Sequence, residues 1–274
     1  MGVVISYLKL IRYLNVAIII ATVFISTIFL SHFTDYLQVS VVAFCLAISA
    51  AAGNVINDLF DQEIDKVNKP DKVIVGKDVS IKNAKLFYFI LVLISVLPSL
   101  FLGWESTLSF TIINALLYLY SWKLKKSYLV GNVLVAGLSA TAIWIPHFLL
   151  QGWIFAFERD EVAVFTVFAF IVSWVREMVK DAEDIEGDRS MGCITFAIKH
   201  GAIGVKIFSF TLLLFVAWYT LALADNWYWY FAVIPMEVLF LVFLYRAKFA
   251  NDFGKVSKLA KVLMVVGLLS MMFK

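Results

Sequence analysis

Long apolar runs alternate with short polar stretches along the whole chain. An apolar run of about 17–25 residues is what a helix needs to cross the hydrocarbon core of a bilayer. Nine such runs lie near residues 13–31, 39–60, 86–103, 106–122, 128–149, 161–179, 202–224, 226–244 and 256–273. The third and fourth are parted by a short turn at Gly103 and Trp104, the seventh and eighth by Asp225 and Asn226. The pattern predicts an all-α polytopic membrane protein with nine transmembrane helices, a single domain over residues 1–274.

Composition agrees. The 274 residues are 62% hydrophobic and 16% charged, against about half and a quarter in a soluble domain. The 16% aromatic share suits interfacial belts of Trp and Tyr. The first ten residues lack a small-residue cleavage site, so no cleavable signal peptide is expected. Cys45 and Cys193 fit no metal or redox spacing and are expected to be free thiols.

Charge placement sets the orientation. Of the 23 Lys and Arg, 21 fall before the first span, or in every second connection and the span rims beside it, leaving only Arg159 and Lys274 on the other side. Positively charged loops stay in the cytoplasm. The N-terminus is therefore expected inside and the C-terminus outside, in the cytoplasmic membrane.

The acidic residues are more concentrated. Asp58–Asp71 and Glu177–Asp188 together hold 11 of the 20 Asp and Glu. Both windows lie at the cytoplasmic mouth of a span. On a helix, a step of four residues drifts only about 40°, so Asn57, Asp61 and Asp65 form one stripe, with Asn54 a turn deeper. Asp181, Asp184 and Asp188, at i, i+3 and i+7, share another face, while Glu183 and Glu186 point elsewhere. Carboxylates crowded at a membrane rim repel one another and resist desolvation. Hard oxygen donors facing one another across a cavity suit Mg²⁺ with bridging phosphate oxygens. Neither stripe contains His or Cys, which argues against zinc. The stripes point to a Mg²⁺-bridged diphosphate site facing the cytoplasm.

Four segments carry a family resemblance. "NDLFDQEIDKVNKP" resembles the first aspartate-rich motif of the UbiA-type intramembrane prenyltransferases, and "REMVKDAEDIEGDRSMGCITFAIKHG" resembles their second. "YSWKLKK" at Tyr120–Lys126 looks like their Tyr-Ser-x-x-Leu-Lys segment. "LIRYLN" at Leu10–Asn15 looks like the start of their first helix, with Tyr13 in a proline position. Two further positions depart from the family wording: Lys72-Val73-Ile74 stands for Arg-Pro-Ile or Arg-Pro-Leu, and Thr195-Phe196-Ala197 for Thr-Leu-Pro.

The resemblance implies one helical bundle around a central cavity and Mg²⁺-dependent transfer of a prenyl group from its diphosphate. By the same carry-over, Asn57, Asp61, Asp65, Asp181, Asp184 and Asp188 hold the metal, with Asp61, Asp65, Asp184 and Asp188 catalytic. Arg12, Asn15, Lys72, Tyr120, Ser121, Lys125, Arg176 and Lys180 bind substrate. The wording of Lys180–Asp188 resembles the branch of geranylgeranylglycerol-phosphate geranylgeranyltransferases, homogentisate prenyltransferases and chlorophyll synthases, and is nearest the first. A geranylgeranyl donor and a geranylgeranylglyceryl phosphate acceptor are expected; an aromatic quinone precursor or a chlorophyllide-type acceptor is the alternative.

The chemistry fits these residues. Breaking an allylic C–O bond builds negative charge on the diphosphate, which Mg²⁺ and cationic side chains stabilise. The carbocation needs a dry cavity and aromatic faces; Tyr118, Tyr120, Trp122, Phe165, Phe168, Phe170 and Trp174 are available for that or for packing. His32, His147 and His200 read as interfacial residues. Partners are a prenyl diphosphate, a lipid-like acceptor and membrane lipids, with no nucleic acid. An ion-coupled carrier would place its carboxylates nearer the midplane. A CDP-alcohol phosphotransferase needs an Asp-Gly-x-x-Ala-Arg stretch, which the sequence lacks.

Overall fold

The computed structural model describes residues 2–68, 70, 73–152, 160–190, 192–223 and 227–273. Among the described residues, helix overlaps each of the apolar runs read from the sequence, and there is no β-strand beyond one isolated bridge, Val75 to Val79. Among the described residues, eight helical stretches are long and apolar enough to cross a membrane. Trp104–Trp122 is not among the eight; Glu105, Asn114 and its several Ser and Thr dilute its apolar character. The chain is an integral, multi-pass, all-helical membrane protein. It divides into two compact units, Met1–Phe24 with Thr34–Lys125, and Ile25–Phe33 with Lys126–Lys274.

The first unit contains α1 (Val3–Leu10), the start of α2 (Tyr13–Ser31), α3 (Tyr36–Phe60), α4 (Gln62–Asn68), α5 (Ile81–Val96) and α6 (Trp104–Trp122). Helix α3 is its centre, packed by both α5 and α6. Small side chains make that possible, because they let helix backbones approach closely. A Cβ at Gly53 would lie 2.8 Å from Leu117 Cδ2 of α6. One turn deeper, buried Asn114 of α6 donates to Ser49 Oγ of α3 and Ser95 Oγ of α5, both at 3.0 Å. In lipid such polar groups find partners on neighbouring helices. Ser80 caps α5 by accepting from the Asn83 amide at 3.2 Å. The expected turn at Gly103 is present, with a positive φ of 106° after a 3₁₀ segment at Leu97–Leu102.

The second unit contains α7 (Val130–Gln151), α8 (Glu161–Glu183), α9 (Ile185–Ser190), α10 (Phe196–Leu223), α11 (Ile234–Arg246) and α12 (Ala250–Ser270). Here α8 is the hub, packed by α7, α10 and α12. Its Phe165 and Phe168 lie edge-on to the fully buried Trp229, with ring centroids at 5.5 and 4.9 Å. The Trp229 indole donates to Thr220 Oγ1 at 2.8 Å. Those two α8 aromatics thus pack the core. At Gly267 of α12 the Phe168 ring comes so close that a Cβ would lie 2.1 Å from Cε1.

Helices α3 and α8 are the most buried of the candidate spans. In each, 67% of the spanning window is buried, against 17% for Ile81–Leu102. The acidic stripes stand at the ends of these two helices. One sequence expectation needs correction: His147 is buried in α7, with Nδ1 at 2.7 Å from the Ile143 carbonyl, and is not interfacial. Cys45 and Cys193 are free and buried.

Candidate active site

Each acidic segment is built the same way. In the first unit α3 stops at Phe60, Asp61 adopts φ −92°, ψ 2°, and α4 resumes at Gln62. In the second, α8 stops at Glu183, Asp184 adopts φ −99°, ψ 10°, and α9 resumes at Ile185. That sparsely allowed bridge region often holds active-site residues. Both breaks keep the helical hydrogen-bond step. Asp61 N donates to Asn57 O at 2.9 Å and Asp65 N to Asp61 O at 2.8 Å; Asp184 N donates to Lys180 O at 2.9 Å and Asp188 N to Asp184 O at 3.1 Å. The helix bends at the middle aspartate without losing register. The spacing Asp58, Asp61, Asp65 repeats as Asp181, Asp184, Asp188.

In the first unit, Lys125 forms a salt bridge with Asp61 Oδ1. Asn57 Nδ2 donates to Asp61 Oδ2 at 2.7 Å. That bond uses the amide nitrogen of Asn57, so a metal would meet its oxygen. Lys125 sits in a 3₁₀ turn, Leu124–Lys126, just past α6. Arg12 lies between α1 and α2 with a positive φ of 55°. Asn54 holds that bend by donating to the Ile11 carbonyl at 3.0 Å. The bend lets Arg12 Nη2 reach Asp58 Oδ1 at 2.9 Å. Asn15 stands one turn further along, its amide bonded to the Arg12 carbonyl at 2.8 Å. Tyr120 and Asp65 are half-buried, while buried Ser121 donates to the Leu117 carbonyl of its own helix at 3.0 Å. Lys72 lies outside the described residues.

In the second unit, the Glu177 carboxylate is buried and takes Arg176 at 2.5 Å and Lys180 at 2.8 Å. One acid thereby fixes two of the expected diphosphate-binding cations. Asn132, near the start of α7, donates to Asp181 Oδ2 at 2.9 Å. Glu183 turns away from the stripe and packs on α12, where a Cβ at Gly254 would lie 2.9 Å from its Oε1. Asp184 and Asp188 are half-buried.

Sequence reasoning did not assign roles to Asp58, Asn54, Asn132 or Glu177. All four orient expected site residues. The repeat of the three-aspartate spacing was the available signal for Asp58. Asn132 and Glu177 become visible only through contacts between helices or along the finished helix.

Among the described residues, no three His, Cys, Asp or Glu side chains are grouped as a ready-made metal shell. The donor chemistry nonetheless suits Mg²⁺, which takes one or two carboxylates and completes its octahedron with water and substrate phosphate. Asp61, Asp65, Asp184 and Asp188 offer hard oxygens, and neither stripe contains His or Cys.

A family model described as the UbiA prenyltransferase family matches residues 16–265. A digeranylgeranylglyceryl phosphate synthase of Methanocaldococcus jannaschii is 32% identical over 273 residues, covering 97% of this chain and 94% of that protein. A solved structure of a digeranylgeranylglyceryl phosphate synthase superposes with a TM-score of 0.71 at 29% identity, over 99% of this chain and 98% of its own. A UbiA homologue from Archaeoglobus fulgidus, solved with DMAPP and Mg²⁺, shares the fold with a TM-score of 0.68 at 13% identity, over 98% of this chain and all of its own.

Proposed function

The chain belongs to the UbiA prenyltransferase family, and from that premise we propose that it transfers a geranylgeranyl group from geranylgeranyl diphosphate to geranylgeranylglyceryl phosphate, with Mg²⁺ as cofactor. The observation that carries this is the paired construction of α3–Asp61–α4 and α8–Asp184–α9: each is a bent helix end that presents carboxylates in register, with cations held beside them. The name borne by the 32% identical relative, over nearly the full length of both chains, supports the acceptor.

In this reading Asp61 and Asp65, with Asn57, hold metal from the first segment, and Asp184 and Asp188 hold it from the second. Asp181 stands with them, oriented by Asn132. Each segment takes part in handling the diphosphate of the prenyl donor. When bound, Mg²⁺ supplies Lewis-acid stabilisation of the departing diphosphate. Lys125, Arg12, Arg176 and Lys180 add charge-assisted hydrogen bonds to it, joined by Lys72, Asn15, Tyr120 and Ser121. Asp58 and Glu177 aim three of those cations. The apolar helix walls below the rim exclude water from the allylic cation and accept the isoprenoid tail.

We further propose nine membrane crossings, with α6 as the crossing too polar to stand out by hydropathy. The N-terminus and the site face the cytoplasm and the C-terminus faces outward, because 21 of 23 basic residues fall on the inner side.

The test is direct. Purified protein with Mg²⁺ and labelled geranylgeranyl diphosphate is offered geranylgeranylglyceryl phosphate, homogentisate and 4-hydroxybenzoate in turn. Labelled product with the first acceptor and none with the aromatics is expected. Product with an aromatic acceptor alone would overturn the assignment.

A further inference from the structure

Both oxygens of the Asp61 carboxylate are already engaged within the first unit. Lys125 Nζ meets Oδ1 and Asn57 Nδ2 meets Oδ2. The ion pair is well buried, with the Lys125 side chain 11% exposed and that of Asp61 13%. Burial decides what this pair must do. A carboxylate taken out of water is costly unless a positive partner is at hand, and removing one member of a buried pair leaves the other uncompensated. Asp61 therefore needs a cation at all times. Its neighbour Asp58 has its own, Arg12 at 2.9 Å. Of the three lysines in the segment after α6, Lys125 is the one turned inward, while Lys123 and Lys126 are exposed.

We infer that Lys125 is a placeholder cation, one that neutralises Asp61 while the site lacks diphosphate and moves onto the diphosphate when it arrives, freeing Asp61 for metal. This deepens the proposed function and rests on it. Two physical points favour Lys125 as the mobile partner. Its ammonium is a point charge on a flexible four-carbon stem, able to swing between neighbouring acceptors. The Asn57 amide, by contrast, is held on the rigid end of α3 and stays beside Asp61. A free divalent ion must compete with the ammonium for Oδ1 and gains little. A diphosphate gives Lys125 another anion, so the exchange leaves no charge unpaired. Metal and diphosphate should therefore bind cooperatively, and linkage makes that coupling reciprocal.

Mn²⁺ binding to the purified protein, followed by electron paramagnetic resonance, tests this without any turnover. Wild type, Lys125→Met and Lys125→Arg are titrated with Mn²⁺ alone and with Mn²⁺ plus the non-ionising analogue geranylgeranyl thiolodiphosphate. Circular dichroism checks that each variant is folded. Wild type should bind Mn²⁺ weakly alone and about tenfold or more tighter with the analogue, within the usual range of coupling between sites. Lys125→Met should bind Mn²⁺ alone about tenfold tighter than wild type and lose most of the analogue's enhancement. Lys125→Arg, which keeps the positive charge on Asp61, should behave as wild type does. If wild type binds Mn²⁺ with the analogue but Lys125→Met binds Mn²⁺ alone no tighter than wild type, the exchange is overturned and the prenyl-transfer reading stands. If no protein binds Mn²⁺ under either condition, both fall.

Discussion

Asp61 and Asp184 are the residues on which each acidic segment turns. Each sits in the bridge region at a helix break and keeps the hydrogen-bond step on both sides. Replacing either with Ala removes a proposed metal-binding carboxylate while leaving the backbone bonds in place. Turnover should fall by at least about a hundredfold, the scale of losing one electrostatic stabiliser of a transition state, with an unchanged circular dichroism spectrum; near-normal rates in either variant would refute the assignment. Asn132→Leu tests the supporting residues. It strands the Asp181 carboxylate that Asn132 now meets at 2.9 Å, at a cost of about 1–3 kcal/mol. Both melting temperature and turnover should drop, whereas Asn132→Gln should recover part of each. The two acidic stripes were legible in sequence because four-residue and seven-residue spacings put their members on one helical face. Their partners were not. Arg12 with Asp58 and Asn132 with Asp181 lie 46 and 49 residues apart, and no local pattern announces such pairs.

At the scale of elements, burial separates α3 and α8 from the remaining helices, and close contact at small residues explains how they are surrounded. Gly267 of α12 is the tightest of these contacts, against the Phe168 ring of α8. Gly267→Ala should lower stability by the about 1–3 kcal/mol typical of overpacking, read as a lower melting temperature in detergent. Adding Phe168→Leu should recover most of the loss; no recovery would mean that the strain lies elsewhere. The helices themselves were plain in the apolar runs, though their ends were not. Helix α3 begins at Tyr36 because the Asp35 side chain caps it, accepting from the Gln38 amide at 3.2 Å. Helix α8 runs on through Glu183, past the last apolar residue, because Asp184 N still bonds back to Lys180 O. The breaks at Asp61 and Asp184 contain neither Gly nor Pro and so carry no sequence signal.

For the whole molecule, basic-residue placement sets the expected orientation. A cysteine at Lys77 should react with a membrane-impermeant maleimide only in inside-out vesicles, and one at Glu105 only in right-side-out vesicles, in a background lacking Cys45 and Cys193. The reverse pattern would invert the topology. The central claim is that each acidic segment is needed for the protein to bind the prenyl diphosphate. Calorimetric titration of geranylgeranyl thiolodiphosphate in the presence of Mg²⁺ into wild type, Asp61→Ala and Asp184→Ala tests it most directly. Strong binding to wild type and its loss in each variant is the predicted result. Undiminished binding in either variant would show that its segment takes no part, and would contradict the account.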